Sequence, residues 1–215
     1  MCCFCAKRIY FIAKLFGNLN VNNPSHLTNS VQLKRKNSWF MNQKLTEITA
    51  SIGLFIGGIF GLAGSFASSA SIRGLAWGID GVALILASAL LTIYYFRKGF
   101  DTAAAGFLIL AIGEGFILSY SGIDLDKNIS SFGAGAALWA ASLFIISLQK
   151  VFPVFIRCTG LLAAILFSIV AFQIFTDHPV NALTRPLPFF AYPIFVITIF
   201  GWAWTLVRTP SQLKS

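Results

Sequence analysis

Asp80 and Glu114 are the residues best placed to do chemistry in this chain. Each is a carboxylic acid set inside a long apolar segment. An acid at the centre of a membrane helix costs about 2.5–3.5 kcal/mol on insertion scales, so it faces protein or water, and its default reading is functional. Counted along the helical rise, Asp80 lies about 7.5 Å from one end of its segment, and Glu114 about 9 Å from the matching end of the next. Consecutive spans run antiparallel, which brings both acids to one depth. Two carboxylates at one depth are able to share a proton, and the chemistry that follows is proton or cation binding.

Other polar residues belong to the same layer. Gln173 falls at that depth on the fifth apolar segment, and Tyr192 and Pro193 mark the level on the sixth. Gly113 and Gly115 flank Glu114 and are predicted to clear room around it. Arg73 precedes Asp80 by seven residues, which places both on one helix face. An Arg73–Asp80 ion pair is the structural alternative to a functional acid. His178 and Arg185 hang above the layer as candidate accessory groups in a loop. A solvated loop imidazole is the plainer reading of His178, with sensing of external pH as its functional counterpart.

Several other chemistries fail on their residues. Gly133-Ala134-Gly135 follows no strand and is no dinucleotide turn, and neither a phosphate-binding loop nor a His-Glu-x-x-His zinc motif is present. Ser119-Tyr120-Ser121-Gly122 lacks the leading glycine of an intramembrane serine protease. The two histidines, His26 and His178, lie outside the apolar segments, so no base or haem ligand is available within a span. Cys2, Cys3 and Cys5 crowd the start and Cys158 stands alone, which is no disulfide framework and no complete metal site. Cys158 reads as a small buried apolar residue. Asn128-Ile129-Ser130 matches a glycosylation acceptor, relevant only in a secretory-pathway host. Neither a cofactor nor a metal is expected, and the balance is against an enzyme.

The elements that must position the acids are membrane helices. Of the 215 residues, 57% are hydrophobic and 11% charged, whereas soluble domains run at about 45–50% apolar and about 25% charged. The predicted class is an all-α bundle of six spanning helices with short loops, at about 48–70, 75–96, 102–120, 132–149, 158–176 and 189–207. Each has close to the length that crosses hydrocarbon. None carries the continuous polar stripe of a soluble bundle helix. With the N-terminus inside, inner loops hold Lys44, Arg97, Lys98, Lys150, Arg157, Arg208 and Lys214, against Arg73, Lys127 and Arg185 outside. The positive-inside rule then puts both termini in the cytoplasm of a cell-membrane protein. The net charge of +9 reads as this topological bias rather than as a nucleic-acid surface. Trp202 and Trp204 are expected in an interfacial belt.

Residues 1–40 differ from the rest, with Asn- and Ser-rich stretches and the basic run Lys34-Arg35-Lys36. They are predicted to be a leader upstream of a start at Met41 or a disordered tail that touches anionic lipid. Residues 41–215 form the six-helix domain. In the first helix, Gly53, Gly57, Gly61, Ser65 and Ser69 recur every fourth residue, a face that permits close helix approach. It is expected to pack within the chain, with a homo-oligomer contact through Gly53, Gly57 and Gly61 as the alternative. The bilayer is the one partner expected in every case. The functional expectation is a non-enzymatic membrane protein with a structural or accessory role; the alternative is a secondary transporter or proton/cation-coupled carrier using Asp80 and Glu114.

Overall fold

The computed structural model describes residues 24–120, 128–178 and 180–208, with side chains from residue 43 onward. The chain divides into two compact units, Met1–Asn42 and Gln43–Ser215, and the helical bundle belongs to the second. The expected leader falls largely outside the described residues, as do Cys2, Cys3, Cys5 and Lys127. The described elements are six helices: α1 (Pro24–Phe66), α2 (Ala70–Arg97), α3 (Asp101–Tyr120), α4 (Ile129–Ser147), α5 (Val154–Phe175) and α6 (Ala191–Arg208). All six are long and apolar enough to cross a membrane, α1 doing so over Gln43–Phe66. Their outward faces carry large apolar side chains such as Leu86, Ile93, Ile112, Phe144, Ile165, Phe172 and Ile197. A soluble monomer rarely exposes apolar patches of that extent. The protein is a multi-pass membrane protein.

The order of the bundle follows from small residues meeting large ones. Along α1, Gly53 meets Ala87, Gly57 meets Leu84 and Asp80, and Gly64 meets Trp77, a descending register that makes α1 and α2 antiparallel. Gly106 meets Ile146, and Gly113 and Gly135 abut each other between α3 and α4. Gly133 lies against Ile174 between α4 and α5, and Gly201 against Ile156 between α5 and α6. The ring closes where Gly58 of α1 receives Phe200 of α6, and Phe55 stacks on the same ring at 5.2 Å. The small-residue face of α1 is thus covered by α2 and α6 of its own chain.

Two aromatic clusters fill the interior. Tyr95, Phe107, Phe152 and Trp202 pack together towards one end, with Phe107 and Trp202 centroids 5.1 Å apart. Trp139, Phe167, Phe195 and Tyr192 pack towards the other. Trp202 is therefore a core residue, 1% exposed, and does not join an interfacial belt; its distance from the helix end was right for a belt, but its face turns inward. Trp204 does turn outward, with the Arg208 guanidinium 4.1 Å over its ring. Cys158 is exposed rather than buried, because its position on the first turns of α5 faces away from the bundle.

The helix ends explain where the expected spans shift. Helix α2 begins at Ala70, not near residue 75, because Ser69 is extended and the helix continues at once through Arg73, whose N–H bonds Ser69 O at 2.9 Å. Arg73 is consequently a helical residue. Helix α2 ends at Arg97, and Gly99 just beyond it takes φ +76. The Phe100 N–H bonds Tyr95 O at 3.0 Å and the Gly99 N–H bonds Phe96 O at 3.1 Å, the paired bonds of a Schellman cap. Helix α5 ends in the same way with Asp177 at φ 59 and the His178 N–H on Gln173 O at 3.0 Å. At the end of α4 the Arg157 Nε donates to Ser147 O at 2.8 Å, which satisfies one of the orphan carbonyls of a helix C-terminus.

Candidate functional site

Antiparallel packing of α2 and α3 places Asp80 and Glu114 on inward faces. Asp80 is 6% and Glu114 1% exposed. Both line one cavity of about 40 Å³, roughly three times the 10–15 Å³ that one water requires. Every spanning helix contributes to its wall: Ser65 from α1, Trp77 and Gly81 from α2, Ile117 and Leu118 from α3, Phe132 and Trp139 from α4, Phe167 from α5 and Tyr192 from α6. Ala182 and Pro188, from the connection between α5 and α6, complete it.

The polar contacts in the cavity are few and specific. The Tyr192 hydroxyl donates to Asp80 Oδ2 at 2.7 Å. Asp80 Oδ1 and both oxygens of Glu114 are buried without a hydrogen-bond partner. The Trp139 indole N–H lies beside the Glu114 carboxyl, but it closes no hydrogen bond. Buried polar atoms in native proteins are nearly always paired with protein or ordered water, so acceptors that the protein leaves unmet call for a water, an ion or a functional role. Trp77 Nε1 donates to Gly61 O at 3.3 Å, and Ser65 Oγ donates to the same carbonyl at 3.0 Å. These bonds hold the indole of Trp77 and the mouth of α1 in place.

The space for the pair comes from Gly61. A Cβ there would fall on the Tyr192 hydroxyl and against the Asp80 carboxylate. Around Glu114 the two flanking glycines differ. Gly113 packs against Leu138, Trp139 and the Gly135 carbonyl, so it does permit close approach of α4, whereas Gly115 faces open space.

The other candidates lie off the cavity. Arg73 makes no ion pair with Asp80; its guanidinium sits 5.8 Å over the Trp77 ring. Among the described residues the ion pair found is Lys98 with Glu47, at 3.8 Å. Gln173 is half-buried with an unpartnered Oε1 but is absent from the cavity lining. His178 is exposed, its Nδ1 2.9 Å from Thr176 O, and Arg185 lies over Phe189 at 4.5 Å. The structure thus joins Asp80 and Glu114 with Tyr192 and adds Trp77 and Trp139, two residues that spacing alone does not single out. Tyr192 had a signal, its depth on α6.

Among the described residues no group of three or more His, Cys, Asp or Glu side chains is placed to hold a metal. The lining residues bring three buried acceptor oxygens without a protein partner, the unpartnered Trp139 indole N–H beside Glu114, one phenol already committed to Asp80, and aromatic walls. The chain matches no protein-family model, no curated protein and no solved structure.

Proposed function

We propose that the protein is a small carrier of the cell membrane that binds a proton or a cation between Asp80 and Glu114, with both termini in the cytoplasm. The observation that carries this reading is the set of unpartnered oxygens. Three of the four carboxylate oxygens are buried without a protein partner, and both acids line one cavity. An acid kept for packing alone would have its acceptors satisfied, since leaving a buried acceptor unpaired costs about 1–3 kcal/mol. A small positive ligand in the cavity that both acids line would meet acceptors that the protein itself leaves unmet.

One contact favours the contrasting reading, a structural or accessory membrane protein. The Tyr192–Asp80 hydrogen bond ties α6 to α2, and a tie of that kind needs no transport. Charge-displacement recording on proteoliposomes separates the two. A carrier gives a transient current on a step in pH or in cation composition. Asp80→Asn and Glu114→Gln abolish the current and keep their melting temperature in detergent. No current from the wild type, or variants that lose expression and thermal stability, overturns the carrier in favour of the structural role.

A further inference from the structure

The cavity specifies more about its ligand than a positive charge, and the specification rests on the carrier reading above. The two acids that line it carry three acceptors without a protein partner, Asp80 Oδ1, Glu114 Oε1 and Glu114 Oε2. Three acceptors match the three N–H donors of a primary ammonium group. The rest of the wall is carbon and π-face, including Trp77, Trp139 and Tyr192. Indole and phenol faces attract ammonium cations, and more strongly where water is excluded. We propose that this cavity binds a small primary ammonium cation of the size of methylammonium or ethylammonium, with its N–H groups on Asp80 and Glu114 and its carbon against the aromatic walls.

The same inventory argues against other cations. Calcium takes six to eight oxygen ligands and magnesium an octahedron of them. Here the acceptors that the protein leaves unmet number three, on Asp80 and Glu114, half of the smallest shell that either metal takes. A quaternary ammonium has no N–H to offer, so it would leave the three acceptors as they are. Volume sets a second limit: about 40 Å³ admits a cation of a few heavy atoms and excludes bulky amines.

The test is binding, not transport. The purified full chain in detergent is titrated with methylammonium chloride, and with sodium, potassium and tetramethylammonium chlorides at equal ionic strength. Melting temperature and tryptophan fluorescence are read, since Trp77 and Trp139 line the cavity. Methylammonium is expected to raise the melting temperature by about 3 °C at tenfold excess over its Kd, and to change the emission saturably, while the other salts do neither. Glu114→Gln is expected to lose the response. Trp77→Phe, which keeps both acids, is expected to weaken binding about threefold through the poorer π-face. An equal response to sodium or potassium overturns the ammonium assignment and leaves the cation site standing. No salt-specific response from the wild type also overturns it; if the pH step still produces a current, the carrier reading survives as proton-only, and if it does not, both fall.

Discussion

The Tyr192 hydroxyl donates a 2.7 Å hydrogen bond to Asp80 Oδ2, joining α6 to α2 across 112 residues of sequence. The bond leaves the other Asp80 oxygen without a partner, alongside both oxygens of Glu114. Tyr192 therefore does two things. It holds Asp80 in one orientation, and it occupies the single acceptor that a ligand does not need. The aromatic ring that carries the hydroxyl is packed against Trp139 and Phe195 at 6.0 Å, so the donor is fixed by the core rather than by the ligand.

Removing that donor should cost more than neutralising its acceptor. Tyr192→Phe leaves Asp80 buried with neither oxygen paired, and is expected to lower stability by about 1–3 kcal/mol. Asp80→Asn keeps a carbonyl oxygen that can accept the same bond, and is expected to cost less. Thermal unfolding of both variants in one detergent checks the order. Equal losses would show that the charge, not the bond, holds the two helices.

Gly61 is required by side chains, not by its backbone. Gly61→Ala would place a methyl group on the Tyr192 hydroxyl and against Asp80, and overpacking of that kind costs about 1–3 kcal/mol. It is also expected to abolish the response to methylammonium. Gly78→Ala is the control, since its Cβ meets nothing within 4 Å, and alanine gains up to about 1 kcal/mol over glycine in a helix. Melting temperatures should move in opposite directions.

How far the sequence reveals this site depends on what each signal encodes. Hydrocarbon thickness sets span length, so six apolar segments of spanning length were legible, and counting residues from their ends placed Asp80 and Glu114 at one depth. Neither measure says which way a side chain faces. That is why Trp202 reads as interfacial and is core, and why Cys158 reads as buried and is exposed. Trp77 and Trp139 are indistinguishable by spacing from any packing aromatic, and only the tertiary structure turns them towards the acids. The Arg73–Asp80 alternative shares the fault: a common helix face is necessary for an ion pair, but Trp77 lies between and takes the guanidinium.

Orientation is open to direct labelling. With native cysteines replaced by serine, His178→Cys in the connection between α5 and α6 is expected to react with a membrane-impermeant maleimide on intact cells. Lys150→Cys, in the connection between α4 and α5, is expected to react only after lysis. The reverse pattern would invert the topology drawn from the positive-inside rule.

The two Schellman caps make opposite forecasts. Gly99 holds φ +76 with no atom within 4 Å of a Cβ, so Gly99→Ala carries a purely conformational penalty of about 1 kcal/mol. Asp177 holds φ 59, which an aspartate tolerates and glycine adopts freely. Asp177→Gly is expected to stabilise by up to about 1 kcal/mol. Denaturation of the pair in parallel tests whether both turns are set by backbone geometry; a loss from Asp177→Gly would show that its carboxylate, not its backbone, matters there.

Lys98 gives the pH dependence with the clearest sign. It follows the last turn of α2, its ammonium bonded to the Tyr94 hydroxyl and 3.8 Å from Glu47. Burial lowers its pKa from the ordinary 10.5, and the Glu47 carboxylate opposes that shift without cancelling it. The folded chain therefore holds this proton less tightly than the unfolded chain does. Unfolding takes up protons as pH enters the window between the lowered value and 10.5, and by linkage the stability contributed by Lys98 rises with pH across that window. Below it the group carries its full desolvation cost. Lys98→Met removes the titration, so the stability difference, wild type minus variant, should grow in favour of the wild type as pH rises through the alkaline range. At neutral pH the two should lie within about 1 kcal/mol, because a partly exposed ion pair contributes little. Unfolding of both proteins in one detergent across the alkaline range measures the difference. A difference that shrinks with rising pH would mean that the ion pair to Glu47 outweighs burial at this end of the bundle.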